Sequence, residues 1–264
     1  FLSFFFTIIT YSQSVKVAPF TSIKAVSIDS LNNNIFVFYE AALERINLST
    51  FKKEFVKIEV PNNFKISSNE LILVDGVIYF LSISGGMVYK LDKNKIERID
   101  NSFDHKMQIN AAVFAHDSKL FKYGGYGFWS ARDFFTYYDT KINEWELYGQ
   151  PTAKSEKPSG TFNNIFMKNG NDIYFFNGFQ INEDDRFKKF KDRLLWKYNF
   201  LTNEWTKLGE TSSFSPGYLI KNNHKLINIK NSSIEEIDFI KNTVSVYNKT
   251  VLNHKIFIGL PSFF

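Results

Sequence analysis

Two stretches of the chain carry one pattern in the same order. Lys119-Leu-Phe-Lys-Tyr-Gly-Gly-Tyr-Gly127 leads through Phe134-Phe-Thr-Tyr-Tyr-Asp-Thr-Lys-Ile-Asn-Glu-Trp-Glu-Leu147, and Asp172-Ile-Tyr-Phe-Phe-Asn-Gly-Phe179 leads through Leu194-Leu-Trp-Lys-Tyr-Asn-Phe-Leu-Thr-Asn-Glu-Trp-Thr-Lys-Leu208. In both, six residues separate a tyrosine from a tryptophan: Tyr138 from Trp145 and Tyr198 from Trp205. A repeat constrains the fold strongly, because one such unit cannot bury both its faces alone and needs its neighbours to cover them.

Weaker copies keep the apolar skeleton. Gly76 to Gly86 runs on to Tyr89 and Ile96, again with six residues between them and so expected to pair, Ile237 to Val244 keeps the spacing in aliphatic form, and Asn34 to Tyr39 with Ile46 to Phe55 makes a first copy with two extra residues in its turn. Each unit reads as four short strands; in the clearest these are Ala111 to Ala115, Leu120 to Tyr123, Phe134 to Tyr138 and Glu144 to Leu147, joined by turn residues such as His116-Asp-Ser. Four strands in a unit of about 40 residues is the pattern of a propeller blade. The expected fold is all-β, a β-propeller of four-stranded antiparallel blades at roughly 23–60, 69–100, 109–149, 160–209 and 214–249, with a sixth begun at 255–264.

The doublet Gly124-Gly125 closing a strand, followed by Tyr138 and Trp145, resembles the kelch repeat. Asn177-Gly178 with Tyr198 and Trp205 repeats it, and Gly85-Gly86 with Tyr89 is a degenerate third match. The resemblance covers roughly residues 23–249 and implies a six- or seven-bladed propeller. Its motif residues are expected to be structural: the glycines permit backbone conformations that a Cβ would block, and the four Tyr and Trp side chains pack between blades. Kelch-like radical copper oxidases use a Tyr–Cys crosslink. This chain has no Cys, so that activity is excluded, as are a disulfide framework and a thiol nucleophile.

Thirty Phe and 13 Tyr against 13 Gly and 6 Pro argue for a folded chain, since so much aromatic surface must be buried somewhere. The net charge of +5 is spread evenly along the chain, and Arg45, Arg98, Arg132, Arg186 and Arg193 are its only arginines. Phosphate and base readout favour arginine forks, so the excess reads as a lysine-rich solvated surface and nucleic acid is not expected as a partner.

The ends are apolar. Phe1 to Ile9, followed by Thr10-Tyr-Ser-Gln-Ser14, resembles part of a secretory signal with cleavage after Ser12, the alternative being a buried first strand. The block is too short to span a bilayer. A signal implies export to the periplasm or cell exterior. The stop at Lys255 to Phe264 suggests a truncated reading frame, with either another strand or a membrane helix expected beyond Phe264.

In an antiparallel four-stranded meander, loops after strands two and four share one face. That face receives the long segments, including Gly125 to Asp133 and Gly178 to Arg193. Function is therefore expected there, on Tyr126, Phe128, Trp129, Arg132 and Asp133 from one blade and on Arg186, Phe187 and their charged neighbours from the next. Exposed aromatics beside charges suit a protein or a glycan ligand, and the first expectation is a noncatalytic binding module, the sensor ectodomain of a regulator if a membrane helix lies beyond it. The alternative is a kelch-like sugar epimerase or mutarotase drawing on His105, Arg132, Asp133 and Arg186 at the channel mouth. No cofactor or metal is expected. The four His show no ligand spacing, Glu183-Asp184-Asp185 lacks the glycine of a calcium loop, and Gly124 to Gly127 precedes a strand rather than a phosphate-binding helix. His116 and His224 are placed in solvated hairpin turns.

Overall fold

The computed structural model describes residues 22–29, 31–101, 108–149, 156–176, 178–182, 185, 188–210, 218–222, 225–229, 233–239, 241 and 243–248. His105, Asn177, Glu183, Asp184, Arg186, Phe187, His224, the apolar block at 1–9 and the segment 255–264 lie outside them.

The described residues form five four-stranded antiparallel sheets arranged as propeller blades. Blade one comprises Ala25–Asp29, Asn34–Phe38, Ala42–Asn47 and Lys53–Lys57, and blade two Asn69–Val74, Val77–Ser82, Val88–Asp92 and Lys95–Arg98. Blade three comprises Ala112–His116, Lys119–Tyr123, Phe135–Asp139 and Glu144–Tyr148, and blade four Ile165–Asn169, Asp172–Phe176, Leu194–Asn199 and Glu204–Glu210. Blade five is Tyr218–Asn222, Lys225–Ile229, Ser233–Asp238 and Thr243–Asn248. The first strand of blade two touches the first strands of blades one and three, which places these strands innermost.

In blades two and three the hairpin between strands one and two is a two-residue turn, as its residues require. Asp75-Gly76 and Asp117-Ser118 each hold two consecutive positive φ angles, the turn geometry whose twist matches the flanking strands. Period-two alternation then sends each strand's side chains to two interfaces. From Lys119–Tyr123, Leu120 joins Leu81 and Val88 of blade two, while Phe121 and Tyr123 join Phe175 and Trp196 of blade four.

The tyrosine and tryptophan of each clear repeat face one another across the outer hairpin. Tyr138 pairs with Trp145 and Tyr198 with Trp205, ring centres 5.6 and 4.9 Å apart. Asn143 and Asn203 close these hairpins at positive φ, which asparagine tolerates, and each side-chain oxygen accepts the tyrosine hydroxyl. All four rings are buried. Tyr138 and Trp145 pack on Leu81 and Val88 of blade two, and Trp145 Nε1 donates to the Gly86 carbonyl at 2.7 Å. Tyr198 and Trp205 pack on Tyr123 and Phe135 of blade three.

Three sequence expectations are corrected. In blade two Ile96 pairs with Leu91, not with Tyr89, because a two-residue turn at Lys93-Asn94 shortens that hairpin. In blade one Ile46 lies opposite Lys53 and Phe55 opposite Glu44, so its turn holds no extra residues. His116 is not solvated: it is the last residue of its strand, 7% exposed, with its ring 4.0 Å from that of Phe200.

Candidate functional site

The segments Gly125 to Asp133 and Gly178 to Arg193 fold into two short ribbons above blades three and four rather than open loops. In the first, Tyr126–Gly127 pairs with Ser130–Ala131; in the second, Phe179–Ile181 pairs with Lys189–Lys191. A connecting chain runs between them. Thr161 N donates to the Arg132 carbonyl at 3.0 Å, Gly125 N donates to the Thr161 carbonyl at 2.8 Å, and Phe162 exchanges two backbone hydrogen bonds with Phe179. Gly160 makes the approach possible: a Cβ there would lie 2.3 Å from the Ala131 carbonyl oxygen. Gly124 and Gly125 serve the same junction at φ 69° and 93°, with Thr161 and Gln108 backbone against them.

The tip of the first ribbon is unusual. Phe128 and Trp129 are the two central residues of its turn, with φ of 48° and 63°. Positions of this kind favour asparagine and glycine, and bulky L-residues there cost on the order of 1–2 kcal/mol each. Their rings gain little packing in return, since the two residues remain 64% and 67% exposed. Strained backbone beneath exposed aromatic side chains makes this tip a candidate site.

Between the ribbons lies an open groove of about 600 Å³. Phe128, Trp129 and Phe190 supply its aromatic surfaces, and Ser130, Ser159, Gln180 and Asn182 its polar ones. No charged side chain lines it among the described residues. Arg132 stands behind the tip with its guanidinium 5.7 Å from the Phe128 ring centre and 6.0 Å from that of Phe134. Asp133 is paired with Lys157 at 2.6 Å. Tyr126 packs on Phe162, ring centres 5.8 Å apart. Of the sequence-predicted site residues, the groove thus brings together Phe128 and Trp129, with Arg132 supporting them and Asp133 turned to a lysine. His105, Arg186 and Phe187 lie outside the described residues.

No protein-family model matches this chain, and no curated protein matches it either. The propeller is read from its own sheets.

Sequence reasoning missed Ser159, Gly160, Gln180 and Asn182, which carry no motif and meet only through the ribbon geometry. It also missed Lys122. This side chain is 1% exposed between blades two and three, its Nζ 2.5 Å from the Gly85 carbonyl and 4.6 Å from the Trp145 ring centre. Burial pushes its amine down to about 7, against a smaller opposing pull from Asp100. A signal existed: Lys122 is in phase with Leu120 on a strand buried on both faces. Among the described residues no group of three His, Asp or Glu side chains is placed to hold a metal ion.

Proposed function

We propose that this chain is a divergent kelch-type propeller acting as a noncatalytic binding module, with its ligand in the groove between the two ribbons. The observation that carries the reading is the Phe128-Trp129 tip, two exposed aromatics held at positive φ, a backbone geometry that asparagine and glycine adopt with less strain. The kelch reading rests on the Gly-Gly junction and on the Tyr–Trp hairpins recurring in blades three and four.

Both a protein segment and a glycan suit exposed aromatics, and the groove's chemistry favours the glycan. Sugar rings stack on aromatic faces through their C–H bonds, and their hydroxyls bond to amides and hydroxyls. Among the described residues the lining offers serine and amide side chains and no charge, a set that fits a neutral sugar better than an ionic peptide motif. Export, supported by the apolar block and the small residues Thr10 and Ser12, would set the groove outside the cytoplasm, as in the sensor ectodomain of a larger membrane protein.

Trp129 provides the test, because the other three tryptophans, Trp145, Trp196 and Trp205, are buried. Titration with neutral cello-, chito- and xylo-oligosaccharides should blue-shift the emission of Trp129 and protect it from acrylamide quenching. If none of these sugars changes either signal while a protein partner does, the glycan assignment is wrong.

A further inference from the structure

Beneath the groove, at the base of the second ribbon, three buried polar atoms have no hydrogen-bond partner among the described residues: Tyr123 Oη, Asn164 Nδ2 and Trp196 Nε1. All three residues line one small cavity between blades three and four, together with Asp192. Tyr123, Trp196 and Asp192 are 0, 4 and 8% exposed, so bulk water does not reach these groups freely. Three orphaned groups on residues that line one space are not the usual by-product of packing, since buried polar atoms in native proteins are nearly always bonded. The cavity has a free volume of about 10 Å³, on the scale of a single water.

The donor set narrows the occupant. An indole N–H and an amide N–H can only donate, so they call for an acceptor and exclude a metal cation at the same point. The Asp192 carboxylate argues against an anion by charge. Its two oxygens accept from Leu194 N at 2.9 Å and Gln180 Nε2 at 3.1 Å, and each retains a further lone pair. The Tyr123 phenol, which its burial and nearby Asp133 and Asp192 keep protonated, can accept one bond or give one. We propose that one structural water is built into this interface, accepting from Trp196 and Asn164 and donating to Asp192 and Tyr123. Two donors, two acceptors and room for one small molecule match the bonding of water and of no common ion. The site also reaches the groove. Asp192 receives the Gln180 amide, which lines the groove, so the water would fix the carboxylate that orients a groove side chain.

The test is a crystal structure of the protein, with parallel soaks in bromide and rubidium, and water-selective NMR on the indole N–H groups. The expected result is one peak bonded to Trp196 Nε1 and Asn164, no anomalous signal from either ion, and a cross-relaxation peak between the Trp196 indole proton and a long-lived water. Trp196→Phe, which keeps a ring in the core, should lose that indole peak and lower the occupancy of the density. Bromide in the cavity would replace the water by an anion site. A dry cavity, or Trp196 and Asn164 bonded to protein acceptors instead, would overturn the proposal. So would unchanged water density in the Trp196→Phe crystal.

Discussion

Replacing Phe128-Trp129 by Asn-Gly separates what the ribbon tip contributes to stability from what it contributes to binding. Relief of positive φ at the two positions contributes about 2–3 kcal/mol toward stability, taking 1–2 kcal/mol per bulky residue and allowing for a remnant at asparagine. Against this stand the buried parts of the rings. With the residues 64% and 67% exposed, about a third of a surface of roughly 200 Å² is covered in each, or about 1.5 kcal/mol per ring at 25 cal/mol per Å². Loss of the Arg132 contact with Phe128, 5.7 Å from ring centre to guanidinium, removes about 0.5–1 kcal/mol more. The sum is a destabilisation on the order of 1 kcal/mol, a fall in Tm of only about 2–4 °C for a domain of this size. Two core aromatics truncated in the same way would cost about 3–5 kcal/mol each. Urea and thermal denaturation of the F128N/W129G protein measure the difference, with the oligosaccharide titration alongside. Near-native stability with binding lost supports a functional tip. A loss of about 4 kcal/mol or more would show that the rings are core, and unaltered sugar binding would move the site elsewhere.

Trp145→Ala is expected to cost about 3–5 kcal/mol, because it empties a buried ring site and orphans the Gly86 carbonyl, and a denaturant midpoint measures it. Gly160→Ala forces a Cβ against the Ala131 carbonyl and should destabilise by about 1–3 kcal/mol while parting the connector from the first ribbon, visible as faster amide exchange at Thr161. Lys122 has its folded pKa lowered to about 7 from 10.5, so the unfolded chain binds the proton more tightly. Stability should therefore rise with pH from about 7 until the buried tyrosines, whose folded pKa values are raised above 10, reverse the trend; Lys122→Met should flatten the rise. His116 is pushed below 6.5 by burial, opposed by Asp117 and assisted by Lys168, so its contribution is present above pH 6.5 and is lost as pH falls toward the folded value. Following its NMR titration gives that value directly.

The strand pattern and the Tyr–Trp spacing were legible because they are local. A six-residue interval is the length of one hairpin returning to the opposite position, so Tyr138 with Trp145 and Tyr198 with Trp205 announce both the hairpin and its register. The same reading failed where a turn changed length, as at Lys93-Asn94, since the apolar positions alone do not state the register. It failed again at His116, because burial at a strand end depends on Phe200, a residue of the next blade.

By itself the sequence determined an all-β repeat, its blade unit, the face that carries the long segments, and the absence of thiol chemistry. Those come from periodicity, segment length and composition, each a property of the chain read in order. Only the tertiary structure decided that two of the long segments are ribbons, that Phe128 and Trp129 stand exposed at positive φ, that Gly160 joins the ribbons, and that Tyr123, Asn164 and Trp196 carry buried polar groups. Each of those depends on which backbone approaches from a neighbouring blade. Contacts between blades join residues tens of positions apart, and no local pattern in the chain specifies them.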